Sequence, residues 1–340
     1  MSKKIIAVAF ITVFGLEVTA RLLPVEQGYF LSDVTDTDPV AHREPSRQAT
    51  ASSGWRLENP RSRRLNNEGF LHDDDYENGA GTPLVAIIGD SQVDAPGVDF
   101  PDTVQARLAK RGTWASRFYT FGMSGAPLSQ YVVWTDYARK SFAPDAVIFV
   151  ISPNDFHESF DEAGLFEGFH YFVSSDNGRY RLSLRPHRRS LRSRLVEHSH
   201  LLAYLVHNLG VPEWIRSAFA DADVLSDRKI RFLTDWFFAE LNAFGLGPQN
   251  TAFVLSPLSD RIYLQPECQP SSSGHPMATF KAAASQRDYP VVDLAANFCN
   301  DYRDNGKELE FPGDVHWNAE GHRVLADAIM EVLDKIAPNR

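Results

Sequence analysis

Leu84-Val85-Ala86-Ile87-Ile88-Gly89-Asp90-Ser91 runs five apolar residues into a glycine, an acid and a serine. The five are too few for a helix and show no polar alternation, so they read as a strand buried on both faces. The same grammar recurs along the chain. Phe118 to Phe121, Ala146 to Ile151, Thr251 to Leu255 and Val291 to Leu294 read as further strands. Between or after them, Asp102 to Lys110, Leu128 to Lys140, Met277 to Ser285 and Ala319 to Ile336 have helical spacing. Short apolar strands alternating with helices indicate an α/β domain with a mainly parallel sheet covered on both faces. Such sheets place their sites beyond the carboxyl ends of the strands.

Four stretches sit where that rule points. Gly89-Asp90-Ser91 follows the first strand, and Gly122-Met123-Ser124-Gly125-Ala126 the second. Ser152-Pro153-Asn154-Asp155 follows the third, and Pro312-Gly313-Asp314-Val315-His316-Trp317-Asn318 precedes the last helix. Taken singly, each has an ordinary structural reading. Ser91 is a helix cap, Gly125 a turn glycine, Asn154 an Asx turn or cap, and Asp314-Val315-His316 a capping acid and a surface histidine. Together they supply complementary parts at one sheet edge. Ser91 is the candidate nucleophile, His316 its base and Asp314 the carboxylate that orients the base. The N–H groups of Ser91 and Gly125 and the side-chain amide of Asn154 are candidate oxyanion donors.

With these residues the chain resembles the SGNH (GDSL-type) hydrolase superfamily from Leu84 to the C-terminus. Its four signature blocks match Gly89-Asp90-Ser91, Gly125, Asn154-Asp155 and Asp314-Val315-His316 in order. The resemblance implies a three-layer α/β/α, flavodoxin-like fold. It also implies a serine esterase working through an acyl-serine, without cofactor. The G-x-S-x-G elbow of ordinary α/β-hydrolases is absent around Ser91. Two departures stand out. The common last block separates Asp and His by three residues, but Gly313 holds that place and Asp314 lies two before His316. That spacing is similar to the D-x-H-W variant of envelope-polysaccharide O-acetyltransferase relatives, so transfer of the acyl group stays open beside hydrolysis. Ser152 replaces the usual glycine of the third block.

The N-terminus has a different character. Lys3 and Lys4 precede an apolar run from Ile5 to Leu16, then Glu17 and a mixed stretch to Leu23. Residues 1–23 therefore read as an export signal, cleavable after Val18-Thr19-Ala20, or as a single membrane anchor. Glu17 and Arg21 are one helical turn apart and able to pair. Either outcome puts the rest of the chain outside the cytoplasm, secreted or membrane-attached. Residues 24–83 are polar and irregular and read as a stalk packing on the domain through Trp55, Leu57 and Phe70. The domain itself is expected over 84–340. The whole chain's net charge of −10, from 34 Lys and Arg against 44 Asp and Glu, disfavours nonspecific nucleic-acid binding. No His, Cys or carboxylate cluster has metal-ligand spacing.

An insertion at about 156–248 is the expected lid and the place where specificity would be encoded. Tyr171-Phe172-Val173 and Tyr180 to Leu184 read as a hairpin around Asp176-Asn177-Gly178. Phe156, Phe160, Phe166, Phe169 and Tyr171 read first as a satellite core, and second as a wall for an acyl group or sugar. Seven arginines from Arg179 to Arg194 read as a solvated face or a contact for anionic headgroups or acidic polysaccharide. Leu191 to Leu209 and Asp227 to Phe244 read as amphipathic helices packing on each other. Cys268 and Cys299 are either a disulfide or two unrelated thiols; an oxidising compartment favours the bond. The expected partners are an acylated small molecule or carbohydrate, and a membrane through the N-terminal segment. A non-catalytic binding or scaffold protein on the same fold is the alternative.

Overall fold

The computed structural model describes residues 3–79, 81–164, 166–175, 178–210, 225–257, 261–265, 268 and 276–336. The N-terminal part holds helix α1 (Lys3–Arg21) and strands β1 (Arg47–Ser53) and β2 (Glu58–Leu65). Then follow β3 (Leu84–Gly89), α2 (Ser91–Asp94), α3 (Val104–Ala109), β4 (Arg117–Gly122), α4 (Leu128–Phe142), β5 (Ala146–Ile151) and α5 (Asn154–Glu158). The insertion contributes β6 (His170–Ser174), β7 (Tyr180–Leu184), α6 (Leu191–His198), α7 (His200–Ala203) and α8 (Asp227–Ala243). The chain closes with β8 (Thr251–Leu255), α9 (Pro276–Ser285), β9 (Val291–Asp293), α10 (Leu294–Asn305) and α11 (Ala319–Leu333).

The central sheet has the order β4-β3-β5-β8-β9, with every pairing parallel. Numbered by chain position within the sheet, that is 2-1-3-4-5, the flavodoxin-like order. The expected α/β/α fold is the observed one. The physical cause lies in the strands. Ala86, Ile88, Phe121 and Phe149 face one apolar layer with Trp134 of α4, Phe237 of α8 and Phe280 of α9. Val85, Ile87, Ile148 and Val254 face the other, with Leu108 of α3, Phe298 of α10 and Leu325 of α11. Successive side chains alternate between faces, so a strand that is apolar at every position must be covered twice.

Residues 24–83 are more integrated than a stalk. β1 and β2 form an antiparallel hairpin, and Ala41, Phe70 and Tyr76 join the main apolar layer. Trp134 Nε1 donates to Ala41 O at 2.8 Å. Tyr76 lies along β4, the sheet's edge strand: its hydroxyl donates to Thr120 O and accepts from Thr120 N, both at 2.8 Å. An edge strand leaves backbone groups unpaired, and this segment satisfies some of them. Of the three residues expected to dock, Phe70 is buried and Leu57 packs in a small satellite cluster. Trp55 is 63% exposed at the hairpin tip, with Arg56 over its ring.

Three further expectations change. Leu191 to Leu209 is not one helix. It breaks at Ser199, whose extended backbone and side chain cap α7, and ends in a π turn over Tyr204–Asn208. It does not pack on α8 as expected. α8 lies against α4 and α9, whereas Val196 and Ala203 pack with Ala20 and Val25 near the end of α1. Helix α10 follows β9 directly, Asp293 Oδ1 capping it at Ala295 N, where the sequence suggested a strand to Leu294 and nothing after. The β6–β7 hairpin is present, although Asp176 and Asn177 of its expected turn lie outside the described residues.

Among the described residues no helix is long and apolar enough to cross a membrane, which the spanning reading of Ile5 to Leu23 required. The polar end of α1 is engaged with protein instead. Glu17 pairs with Arg21 at 2.8 Å and accepts from Ser199 Oγ at 2.7 Å and Leu201 N at 3.0 Å. Cys268 and Cys299 are joined as a disulfide, with Cα atoms 6.1 Å apart.

Candidate functional site

Ser91 opens α2 directly beyond β3. The turn that presents it is tight: a Cβ on Gly89 would lie 2.4 Å from Val93 Cγ2 and 3.0 Å from Val150 O. The helix cap is Asp90, not Ser91. Asp90 Oδ1 accepts from Gln92 N at 2.9 Å, so the serine hydroxyl is not used for capping. Burial raises the Asp90 carboxyl above its ordinary range.

His316 and Asp314 share the loop before α11. Asp314 Oδ1 lies 2.6 Å from His316 Nδ1 and also accepts from His316 N at 3.2 Å. The two-residue spacing therefore closes on itself, because the loop bends back through Asp314 N to Phe311 O at 3.2 Å and Phe311 N to His316 O at 3.0 Å. The hydrogen bond with Asp314 raises the His316 pKa, and the same bond lowers that of Asp314. Asn318 fixes the far side: it caps α11 at Glu320 N and donates to Glu308 O and Glu310 O.

Gln92 ties the two halves together, and the sequence reading did not single it out. Its side chain donates to Val315 O at 3.2 Å and accepts from Trp317 N at 3.1 Å, gripping the peptide on both sides of His316. The only sequence signal is a polar residue on an otherwise buried turn, which is not specific. Asp94, three residues after Ser91, is held by Arg43 of the N-terminal segment in a buried two-point ion pair at 2.8 and 2.5 Å. Ser91, Asp314 and His316 line one cleft of about 1090 Å³. No hydrogen bond joins Ser91 to His316 among the described residues; such contacts tighten when substrate binds.

Gly125 and Asn154 lie beyond β4 and β5, the two strands flanking β3, but neither lines that cleft. Gly125 has φ +74°, and a Cβ there would meet the Phe166 ring at 2.2 Å. Phe166 thus covers the glycine and borders the cleft, as the buried Phe169 also does, whereas Phe156, Phe160 and Tyr171 are core residues away from it. The expected satellite core is not separate: Phe156, Phe160, Phe169 and Tyr171 belong to the main apolar layer, packed with residues of α4, α8 and α9, and Phe166 is the one that is exposed. The Tyr171 hydroxyl, donating to Phe166 O at 2.7 Å, fixes its loop. Asn154 is exposed and donates through Nδ2 to Glu158 Oε2 at 3.1 Å. Beside it, the fully buried Asp155 accepts from Ser152 N at 2.7 Å and Tyr131 Oη at 2.8 Å. Burial, with the Asp90 charge next, pushes Asp155 well above the carboxylate range. Burial moves Glu158 from 4.5 up to about 7.

The cleft's other walls come from outside the four sequence blocks. Tyr29, Arg43, Ser52 and Asn59 belong to the N-terminal segment, and Arg192 and His207 to the insertion. The cleft is therefore not walled by the insertion alone. Among the described residues no cluster of His, Cys, Asp or Glu is arranged to hold a metal.

No protein-family model matches the sequence, and no curated protein matches it. Solved structures do show similarity. An acetylxylan esterase from Geobacillus stearothermophilus aligns over 76% of this chain and 95% of its own, at 16% identity and TM-score 0.41. A member of the lipolytic G-D-S-L family from Veillonella parvula aligns over 74% and 99%, at 10% identity and TM-score 0.38. A two-domain esterase active on acetylated mannans aligns over 75% of this chain, at 13% identity and TM-score 0.39. The chain spans about half the length of that last protein, 50%.

Proposed function

We propose that this protein is a serine ester hydrolase of the SGNH (GDSL-type) superfamily, acting outside the cytoplasm on acylated carbohydrate or another envelope ester. The observation that carries the reading is the His316–Asp314 pair at 2.6 Å, lining the same cleft as Ser91 at the carboxyl edge of the sheet. The exposed apolar flank of α1 supports attachment to a membrane surface, and the Cys268–Cys299 bridge suits an oxidising compartment.

In this reading His316 takes the Ser91 proton as the hydroxyl attacks the ester carbonyl. Asp314 holds the imidazole in the required tautomer and stabilises its protonated form. The backbone N–H of Ser91 is the oxyanion donor that lines the cleft, while Gly125 under Phe166 and the Asn154 amide bonded to Glu158 would join it only once Phe166 and Glu158 move aside. Losing one such donor typically costs about 3 to 4 kcal/mol. The leaving alcohol takes the proton from His316, and water then releases the acyl group from the serine. A sugar hydroxyl in place of water would make the reaction a transfer.

A fluorophosphonate probe tests the reading. Labelling of the folded protein that is lost in Ser91→Ala supports it; an unlabelled, well-folded wild type sinks it in favour of a binding protein. Release of acid from an activated acetyl ester, with and without oligosaccharide, then separates hydrolysis from transfer.

A further inference from the structure

Five leucines on the insertion side of the molecule are exposed where a folded domain normally buries them: Leu191, Leu195, Leu202, Leu205 and Leu209. Leu191, at 76% exposure, is four residues before Leu195 on one face of α6, and Leu202 and Leu205 are three apart farther along the chain. These elements pack on the end of α1. Glu17 receives Ser199 and Leu201, and Arg21 Nη2 donates to His198 O at 2.9 Å. Trp55 belongs to the same end, since Tyr204 Oη donates to Trp55 O at 2.9 Å. From that junction α1 projects with Ile5, Phe10, Ile11 and Phe14 all more than half exposed.

The charge of this end is opposite to that of the whole. The chain carries −10, yet between Leu182 and Gly210 its single acid is Glu197. That carboxylate is 6% exposed and held by Arg47 at 2.6 Å, whereas Arg188, Arg192 and Arg194 are exposed. Asp33 and Glu44 of the N-terminal segment engage Arg189, and Asp33 also faces Arg194, which leaves Arg188 and Arg192 as further exposed cations. Exposed leucines beside such arginines form a surface that beds into the interface of an anionic bilayer.

We propose that the α6–α7 surface, with Trp55, is a membrane-interface docking face, so that the domain itself lies against an anionic lipid surface beside α1. This goes beyond attachment through α1, and it would hold whatever reaction the cleft performs.

The test uses the full chain and vesicles of phosphatidylcholine and phosphatidylglycerol at about 7:3. Wild type is expected to partition onto them and to bind more weakly as salt rises. Leu191→Asn/Leu195→Asn should lower partition by about tenfold or more, and Arg188→Gln/Arg194→Gln by about fivefold per arginine on anionic vesicles only. Activity on a soluble ester should be unchanged in both variants. Independently of any leucine variant, bromine-labelled lipid should quench a fluorescence component present in wild type and missing from Trp55→Phe. Undiminished partition of both variants, or no Trp55-dependent quenching, would overturn the proposal and leave α1 as the sole attachment. Self-association in place of vesicle binding would assign the face to a second copy and equally overturn it. A catalytically silent protein that docks as described would fail the esterase reading alone.

Discussion

The Gln92 side chain accepts the Trp317 amide N–H at 3.1 Å, joining positions 225 residues apart on either flank of the Ser91–His316 pair. Gln92 immediately follows the candidate nucleophile and Trp317 the candidate base. One side chain thus ties the turn that carries Ser91 to the loop that carries His316. Gln92→Ala leaves the buried Trp317 N–H without its partner, which costs about 1 to 3 kcal/mol. Displacement of His316 by about 1 Å costs on the order of a hundredfold in rate. Steady-state kinetics on a small ester should therefore show kcat falling by ten- to a hundredfold with KM little changed. Unaltered kcat would remove Gln92 from the positioning of the base.

In the proposed mechanism the Asp314–His316 bond would set the pH dependence of the reaction. The base must be neutral to accept the serine proton, and Asp314 raises its pKa above the ordinary histidine value of 6.5. Activity should accordingly rise with pH through a midpoint above that value. Asp314→Asn should cut kcat by about a hundredfold or more and move the remaining midpoint downward. A pH–rate profile of both proteins measures each effect, and near-normal turnover would show that Asp314 is not the orienting group.

Glu158 makes a separate contribution to stability. Its folded pKa of about 7 lies above the ordinary 4.5, so between these values the native state holds a proton that the unfolded chain has released. The stability this gives is fully present below about 4.5 and is lost as pH rises through 7. Glu158→Gln should flatten the decline in melting temperature over that interval. An identical pH dependence in the variant would show that the carboxyl titrates normally.

Gly125 cannot accept a side chain without cost. Its φ of +74° is unfavourable for other residues, and a Cβ would drive into the Phe166 ring at 2.2 Å. Gly125→Ala should destabilise the protein by about 1 to 3 kcal/mol. Adding Phe166→Ala should relieve the steric part and leave the backbone part. Melting temperatures of the single and double variants separate the two.

The N-terminal segment should matter to the site through Arg43. Removing one member of a buried ion pair strands the other charge, typically at about 3 to 5 kcal/mol. Arg43→Met should thus lower the melting temperature and, because Asp94 ends the helix that begins at Ser91, depress activity near the melting range. Wild-type stability would contradict this account.

The sheet was readable because Leu84 to Ile88, Ala146 to Ile151 and Thr251 to Leu255 are apolar at every position, a local pattern compatible only with cover on both faces. Asp314 and His316 were legible as a pair because a single residue, Val315, separates them. Gln92 and Glu158 were not, since each acts through a partner whose identity depends on how the chain turns. The N-terminal hairpin was hidden for a related reason. Glu58 to Leu65 carries three arginines, a proline and an asparagine, and its strand is stabilised by pairing with β1 and by packing, not by its own composition.

Local chemistry in the sequence determined the strand-and-helix order, the edge at which Ser91, Asp314 and His316 would meet, and the overall acidity. Only the tertiary structure decided that residues 24–83 wall the cleft, that Phe166 covers Gly125, and that basic, leucine-rich helices gather at the end of α1. Periodicity reports which face of an element is buried, because that is a property of neighbouring residues. Which distant segment covers that face depends on contacts between residues far apart in the chain, and these form only when the whole fold closes.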